Sequence, residues 1–467
     1  MLASSHRFGL FDYFRVPYEL APTGDPIGRL GREDAAVFWP AQPPATAGRR
    51  GLWRLEGAPL YARVAPEAEV RAWERGLRGR WDDLAEVLDG SGRRISAVRR
   101  RDDGALLLPF DPADAMESLW SEAYASERAA APSQLRRLAM SGYYAVRPAL
   151  PRAAQLGLRR SFSRIQARTK FPRWPVESGL HDLYDHLFRW LSNALGGPLP
   201  AVAPWPGGKR WALVLTHDVE HAEGYDSIPL LRDLEHDLGY RSAWYLVPER
   251  DYTVDDEVVR SLRAAGFEVG VHGLHHDGRD LARGHLASRL PAMTAWRDRW
   301  EATGFRSPAT HRDWDAMPTL GFAYDSSSFD TDPFEPQAGG CCSWLPFHNR
   351  DLVELPLTLT MDHTLFVILR RDTSLWEEKA DYLRARGGLA LLLTHPDYML
   401  APGRLDAYRS FLSRYADDET AWRALPGDVA GWWNRRAASR IETNAGEPYV
   451  VGPAAEEARI VMLGAEN

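Results

Sequence analysis

Five clusters of polar residues follow short apolar segments in the second half of the chain. Their side chains are of the types that bind a metal, transfer a proton or balance a charge. If the apolar segments are parallel strands, their carboxyl ends meet at one edge of the sheet, where active sites of such folds lie. We therefore expect one shared rim for residues 216–220, 272–277, 306–308, 325–328 and 395–397.

Two histidines in these clusters have a spacing that suits a metal ion. His272 and His276 are four residues apart, which would bring both imidazoles to one helical turn. Asp218 and Glu220 supply carboxylates at the end of another strand, and two histidines with one carboxylate leave a position open for a reactive water. The alternative is that the histidines are ordinary surface or capping residues, since the chain contains 14 of them.

Three more residues of the rim suit supporting roles. His395 follows a continuous apolar segment and precedes a proline, so we expect it to protonate a leaving amine or alkoxide. Arg306 would pair with Asp218 and keep it ionised, and Asp325 would do the same for His395. The alternatives are a core histidine bonded to a carbonyl, a surface arginine and an aspartate that caps a Ser-rich turn.

The elements that must position these residues alternate between short apolar strands and amphipathic helices. The pattern predicts strands at 211–215, 243–247, 267–271, 352–360 and 389–393, and helices at 228–238, 256–265, 286–302 and 375–386. Repeated βα units of this kind indicate an α/β fold with a parallel sheet or barrel.

The composition of the chain changes near residue 200, because proline and glycine are frequent between positions 198 and 210. Before this stretch, hairpin-like pieces at 52–64 and 95–109 are followed by helical patterns, which predicts an N-terminal α+β domain of unknown role over 1–200. The α/β domain is expected over 201–400, and a C-terminal helix with a small β-containing appendage over 401–467.

The order of the five motifs resembles that of the polysaccharide deacetylase family. That family has an acidic Thr-x-Asp opening, a His-x-x-x-His pair, an Arg-x-Pro, an Asp-Ser pair and a late Leu-x-x-His. The corresponding residues here are 216–220, 272–276, 306–308, 325–326 and 392–395. The resemblance implies a distorted (β/α) barrel with fewer than eight strands, a divalent metal such as Zn²⁺, and removal of acetyl groups from amino sugars.

Two positions depart from the family pattern. Family members usually have adjacent aspartates where this chain has Asp218-Val219, and an aromatic residue where it has Ala309. A backbone amide beside Ala309 would still suit an oxyanion. Some relatives have Asp-x-Glu instead, which implies that Asp218 is the base and that Glu220 is a metal ligand.

The expected backbone conformation is consistent with Asp218 as the base and Glu220 as a metal ligand. If the strand continues past Leu215, alternate side chains point the same way, so Asp218 and Glu220 share one cavity while Val219 packs inward. Glu220, His272 and His276 would then hold the metal. The alternative assigns the metal to Asp218 and leaves Glu220 as a loop cap.

Composition and charge exclude several classes of protein. The 57 basic and 64 acidic residues give a net charge of -7, so we expect no nucleic-acid partner. No apolar run approaches the roughly 18 residues of a transmembrane segment, and the first residues do not resemble a secretory signal, so we expect a cytoplasmic protein. The Arg-rich stretch 147–173 is expected to be a solvated basic helix, the alternative being peripheral contact with anionic lipid.

The candidate residues and the resemblance to polysaccharide deacetylases together predict a metal-dependent carbohydrate deacetylase, a hydrolase of carbon–nitrogen bonds other than peptide bonds. Asp218 would accept a proton from the attacking water, and His395 would protonate the departing amine. The expected substrate is an acetylated saccharide, for example a lipid-linked one in cell-surface polysaccharide assembly. The alternatives are hydrolysis of another amide or imide on the same site, and a degenerate carbohydrate-binding module without catalysis.

Overall fold

The computed structural model describes residues 9–18, 27–32, 35–40, 50–125 and 170–465. These residues fall into two compact units, each drawn from separate stretches of sequence. The first unit draws on Met1–Glu127, Ser178–Gly207 and Arg435–Asn467, and the second on Arg128–Glu177 and Gly208–Asn434. One boundary lies in the Pro- and Gly-rich stretch, but the units are not the three consecutive domains expected from the sequence.

The strands are numbered here in chain order, and the helices are given by their residues. The strands are β1 Ile27–Arg32, β2 Ala35–Pro40, β3 Arg50–Leu55, β4 Ala58–Arg63, β5 Trp81–Leu88, β6 Arg94–Arg101, β7 Leu106–Leu107, β8 Leu199–Val202, β9 Trp211–Val219, β10 Ser242–Leu246, β11 Glu268–Val271, β12 Gly304–Phe305, β13 Tyr324–Asp325, β14 Phe347–Asn349, β15 Leu352–Glu354, β16 Leu389–Thr394, β17 Ala421–Arg423, β18 Arg440–Asn444, β19 Glu447–Val451 and β20 Ile460–Leu463. The main helices are Gly9–Phe14, Glu67–Leu77, Pro112–Trp120, Gly179–Leu195, Ala222–Asp226, Ile228–Asp237, Asp256–Ala264, Arg283–Trp300, Ser374–Arg386, Pro396–Met399, Arg404–Tyr415 and Pro426–Ala437.

The first unit contains a mixed seven-stranded sheet in the order β1-β2-β7-β6-β5-β3-β4. β3 and β4 form the hairpin that Glu56-Gly57 predicts, and both turn residues have positive φ values of 50° and 82°. Such a turn matches the right-handed twist of the flanking strands. Helix Gly179–Leu195 belongs to the same unit and buries an apolar face that includes Leu183, Leu187 and Leu191.

The end of the chain belongs to this first unit and is not a separate appendage. β20 pairs with β8 in an antiparallel ladder. The buried Arg436 guanidinium donates to the carbonyl oxygens of Tyr13 at 2.7 Å, Val202 at 2.9 Å and Ala203 at 3.1 Å. Because buried donors are costly when unpaired, these bonds hold three distant stretches of sequence together. Burial lowers the pKa of Arg436 to about 10.

Residues 401–434, which the sequence assigned to the same appendage, lie in the second unit. β17 runs parallel to β9, with Ala421 opposite Trp211. The helix expected in this part of the chain spans Arg404–Tyr415, and β17 follows it from Ala421.

The second unit is built on a nine-stranded sheet in the order β14-β15-β13-β12-β11-β10-β9-β16, with β17 also paired to β9. All pairs are parallel except β14 with β15. Every residue of β9 is buried, as expected for a strand covered on both faces. Beyond β15, the amides of Thr358 and Leu359 donate to the carbonyl of Leu391 in β16, so the sheet curls back on itself. A mixed α/β fold with a curled sheet agrees with the predicted class.

β15 is shorter than the predicted strand over 352–360. It ends at Glu354, two residues before Pro356, which has no backbone amide to offer to a ladder. Beyond it, Leu357 forms an isolated parallel bridge with Phe329, and the chain then contacts β16 through Thr358 and Leu359.

Two tyrosines fill the inside of the curled sheet, and two glycines make room for them. A Cβ at Gly270 would lie 2.5 Å from the Tyr245 ring, and one at Gly304 would lie 2.0 Å from the Tyr324 ring. The two hydroxyls are 2.9 Å apart, and Tyr324 donates to Glu268 at 2.7 Å. The interior is therefore packed with side chains, as in barrel folds.

The sequence analysis made two statements about membranes, one on transmembrane segments and one on the basic stretch 147–173. Within the described residues, no helix has both the length and the apolar character required to cross a bilayer. Positions up to 169 of the basic stretch 147–173 lie outside the described residues, so its contact with lipid stays a prediction.

Candidate metal centre and active site

The candidate residues lie at one edge of the curled sheet, at the carboxyl ends of five parallel strands. Parallel strands end on the same side, so residues at or just beyond their carboxyl ends become neighbours. Asp218 and Glu220 lie at the end of β9, His272 follows β11, Arg306 follows β12, Asp325 ends β13 and His395 follows β16.

Glu220, His272 and His276 form a compact cluster of ligand atoms. One oxygen or nitrogen of each lies within 4.8 Å of the other two. Glu220 Oε1 is 2.8 Å from Nε2 of His276 and 3.8 Å from Nε2 of His272. Among the described residues, this is the one group of three histidine, cysteine or acidic side chains with this spacing.

The two histidines converge through a loop, and the expected helical turn is wrong. Residues 272–276 follow β11 without regular structure, and positive φ values at Gly273 (64°) and His276 (53°) reverse the chain. A Cβ at Gly273 would lie 2.3 Å from Oδ2 of Asp280 and 2.6 Å from Pro308, so only glycine fits there. Tight packing of the loop against its neighbours therefore sets the histidine spacing.

The hydrogen bonds around the cluster leave its nitrogens available to a metal. His272 Nδ1 lies 3.0 Å from the carbonyl oxygen of Arg306, so it carries the proton and donates it, while Nε2 faces the cluster. The Nε2 atoms of His272 and His276 are buried without a well-aligned hydrogen bond in the described part of the chain. Two imidazole nitrogens and a carboxylate are the donor set of an open zinc site, so these residues fit a divalent ion.

Electrostatics favour the charged form of Glu220. Burial alone would raise the pKa of this carboxyl group, but the adjacent imidazoles of His272, His276 and His395 lower it well below its usual value. Burial lowers the pKa of His276 and so favours the neutral imidazole that a metal requires.

Asp218 lies beside this cluster and is held by Arg306. Both side chains are buried, and Nη1 of Arg306 is 3.2 Å from Oδ1 of Asp218. The other carboxylate oxygen is 3.6 Å from Nε2 of His272. The guanidinium also stacks on the ring of Tyr245, with 4.6 Å between its central carbon and the ring centroid. Val219 is fully buried between the two acidic residues.

His395 lies on the other side of Glu220, with 3.6 Å between His395 Nε2 and Glu220 Oε1. Its Nδ1 is 2.7 Å from Oδ1 of Asp362, and its backbone amide donates to Oδ2 of the same carboxylate at 2.7 Å. Burial opposes the charged imidazolium, but the neighbouring carboxylate of Asp362 outweighs it and raises the pKa of His395 well above its usual value. His395 is therefore prepared to hold a proton.

Asp325 does not support His395 as the sequence analysis expected. Its carboxylate accepts bonds from the hydroxyl and amide of Ser327, at 2.7 and 2.8 Å. It also faces Glu354, its partner in the parallel ladder, and burial raises the pKa of both groups. Because β13 is separated from β16 by the other strands of the sheet, Asp325 organises the loop after β12, where Ser307 donates to Ser327.

Asp362 is the carboxylate that supports His395, and the sequence analysis did not predict it. It follows the predicted strand 352–360 by two residues, so the positional rule that selected the other site residues would also have found it. The missing signal was a family motif, since none of the five motifs includes this position.

His217 precedes Asp218 in β9 but does not belong to the candidate site. It points away from Asp218, to a buried network on the other face of β9, where it contacts Glu235 at 2.8 Å and Thr394 at 2.8 Å. The alternation of a strand separates the two side chains, so His217 is a structural histidine.

Comparisons with known proteins were made by sequence and by structure. No protein-family model and no curated protein sequence matches the chain. Among solved structures, a Mycobacterium smegmatis protein named as a polysaccharide deacetylase is similar over 52% of this chain and 96% of its own, with 22% identity and a TM-score of 0.43. Puue allantoinase matches over 50% and 93%, with 18% identity and a TM-score of 0.39. The chitin deacetylase of the fungus Colletotrichum lindemuthianum matches over 49% and 89%, with 15% identity and a TM-score of 0.30. The solved structures to which this chain is similar thus include polysaccharide deacetylases, the family that the order of its motifs resembles.

Proposed function

We propose that this protein is a metal-dependent hydrolase that removes the acetyl group from an amino sugar of a saccharide. One observation carries the proposal: ligand atoms of Glu220, His272 and His276 lie within 4.8 Å of one another, and Asp218 and His395 flank this cluster. Each flanking group has its own buried partner, Arg306 for Asp218 and Asp362 for His395. Metal-dependent amide hydrolysis uses these parts: a metal, a base and an acid.

The three ligands would hold a divalent ion such as Zn²⁺. When bound, the ion would polarise the acetyl carbonyl and acidify a water molecule. The lowered pKa of Glu220 favours its carboxylate form, and two histidine Nε2 atoms face the same space, so these ligands need no large rearrangement.

Asp218 is the proposed base. It accepts a proton from the attacking water as the new C–O bond forms at the acetyl carbon. The Arg306 guanidinium balances its charge and fixes one carboxylate oxygen, while the other oxygen stays near His272.

His395 is the proposed acid. When the C–N bond breaks, its electron pair goes to nitrogen, which takes the proton of His395, and acetate and the free amine leave. The raised pKa of His395 keeps this proton in place until it is needed, and Asp362 fixes the ring so that Nε2 faces the site.

The saccharide class comes from the order of the five motifs, which resembles that of polysaccharide deacetylases, and not from the metal set alone. A lipid-linked saccharide or a nucleotide sugar of cell-surface polysaccharide assembly belongs to the same proposal. The alternative substrate is another amide or imide, because the same base, acid and ligands serve that hydrolysis as well.

The decisive experiment measures released acetate from N-acetylated nucleotide sugars and lipid-linked saccharides, with a cyclic imide and a simple amide in parallel. The zinc-loaded protein should release acetate, and a chelator should abolish the release. His276→Ala should inactivate the protein, whereas His275→Ala removes the adjacent histidine, which faces Glu249, and should leave the rate unchanged. Metal binding without turnover of any compound would contradict the proposal and favour a binding module.

A further inference from the structure

Arg250 connects the two loops that carry Glu220 and His276. It follows β10, a strand at whose end the sequence analysis expected no site residue. Arg250 lies in the loop after β10, and its Nε donates to the carbonyl oxygen of Glu220 at 2.6 Å. Its Nη1 donates to the carbonyls of His275 at 3.2 Å and His276 at 3.4 Å. A single guanidinium therefore contacts the backbone of Glu220 and of His276, two of the three proposed ligands.

The strands themselves do not fix these two residues. β10 lies between β9 and β11, and its ladders end where Leu246 is opposite Val219 on one side and Val271 on the other. Glu220 and His276 both lie beyond these last pairs. Their separation is therefore set by loops, and the planar fork of Arg250 is the group that bonds to both.

The backbone at His276 increases the need for such a bond. Its φ of 53° lies in the left-handed region, which is unfavourable for a residue with a Cβ. A strained conformation persists only where its surroundings hold it. Arg250 binds the carbonyl of this residue, and Asp280, which is paired with Arg289, accepts a bond from the amide of Leu274 in the same loop.

We propose that Arg250 is a positioning residue of the metal centre, which sets the distance between Glu220 and His276 and thereby the affinity for the divalent ion. This inference rests on the proposed function, because it assumes that these residues bind a metal. Arg250 does not act as a ligand, since its side chain carries only donors. It acts through the carbonyls that it holds.

The test measures the affinity of the full-length protein for Zn²⁺ alone, by competition with a coloured chelator. Arg250→Met should weaken zinc binding about 10- to 100-fold, the usual effect of removing a group that orients a ligand. Arg250→Lys keeps the charge, but its single ammonium cannot bridge both loops as a planar fork does, so it should also lose affinity.

Arg263→Met is the matched control. Arg263 makes the same kind of contact, from Nη1 to the carbonyls of Trp300 and Glu301 at 3.1 Å each, away from the proposed ligands. This variant should keep the wild-type zinc affinity, and its metal-free melting temperature serves as the reference for the loss of one carbonyl-binding arginine.

The outcomes separate the two proposals. No zinc binding by the wild-type protein would overturn the proposed function and this inference with it. Zinc binding by the wild-type protein together with unchanged affinity in Arg250→Lys would overturn the role of Arg250 alone. If Arg250→Met does not fold, Arg250→Lys carries the test. Weaker binding in Arg250→Lys, with a metal-free melting temperature no lower than that of Arg263→Met, supports the inference.

Discussion

The carboxylate of Asp362 binds His395 twice, through the ring nitrogen Nδ1 and through the backbone amide, at 2.7 Å in both cases. The first bond fixes the tautomer and orientation of the ring, and the second fixes the chain at the end of β16. Because both contacts are buried, this one residue controls where the proposed acid points and how firmly it holds its proton.

Asp362→Asn should therefore change the pH dependence of the reaction as well as its rate. The raised pKa of His395 keeps it protonated, and activity is lost as the pH rises through that pKa. Without the carboxylate the pKa falls, so the basic limb of kcat/KM should move to lower pH, and the rate at neutral pH should drop by about 10- to 100-fold. A pH–rate profile measures this shift. A basic limb that coincides with the wild type would show that Asp362 does not set the proton affinity of His395.

His395→Ala should lose activity and keep its metal. The expected fall is about 10²- to 10⁴-fold, the range for a positioned general acid. Its Nε2 is 3.6 Å from Glu220, so it lies near the ligands without belonging to the proposed set. Metal analysis of the purified variant checks that the metal is retained, and acetate release checks that activity is lost. Loss of the metal, or full activity, would contradict the assignment.

The roles of Asp218 and Glu220 are separated by comparing two substitutions. Glu220→Ala should lower metal affinity strongly, because it removes a proposed ligand. Asp218→Asn should retain the metal and lose turnover, because the amide cannot accept the proton. Both proteins can be analysed for bound metal after purification. A metal-free Asp218→Asn beside a loaded and active Glu220→Ala would reverse the two roles.

Gly304→Ala should destabilise the protein, because the new methyl group would lie 2.0 Å from the ring of Tyr324. Overpacking of this kind typically costs about 1–3 kcal/mol. Gly284→Ala is the control: apart from its chain neighbours and the local helix backbone, no atom lies within 4 Å of its added Cβ. Gly284 lies in the helix Arg283–Trp300, where alanine is favoured over glycine. Urea denaturation of the two variants should show a lower midpoint for the first only. Equal midpoints would contradict the packing described for the two tyrosines.

Tyr245→Leu should reduce activity more than Tyr245→Phe. The aromatic face lies against the Arg306 guanidinium, which in turn holds Asp218. Phenylalanine keeps this face and loses only the hydroxyl that bonds to Tyr324, whereas leucine removes the face. Measurements of kcat and KM distinguish the cases, since loss of base orientation lowers kcat. Equal rates in the two variants would show that the ring does not position Arg306.

The sequence by itself determined the local pattern of the second unit and most of its candidate residues. Apolar strands alternating with helices predict parallel pairing, and parallel pairing brings strand ends to one rim. This local logic predicted that Asp218, Glu220, His272, Arg306 and His395 come together, because each lies at or directly after a strand.

Only the tertiary structure decided the contacts between loops. The partner of His395 is Asp362 and not Asp325, because the order of strands around the sheet, which local patterns do not encode, sets which loops are adjacent. The bridge made by Arg250 and the left-handed His276 likewise depend on how two loops pack. The end of the chain joined the first unit for the same reason: the carbonyls that satisfy Arg436 come from segments hundreds of residues earlier in the sequence, and that pairing exists only after folding.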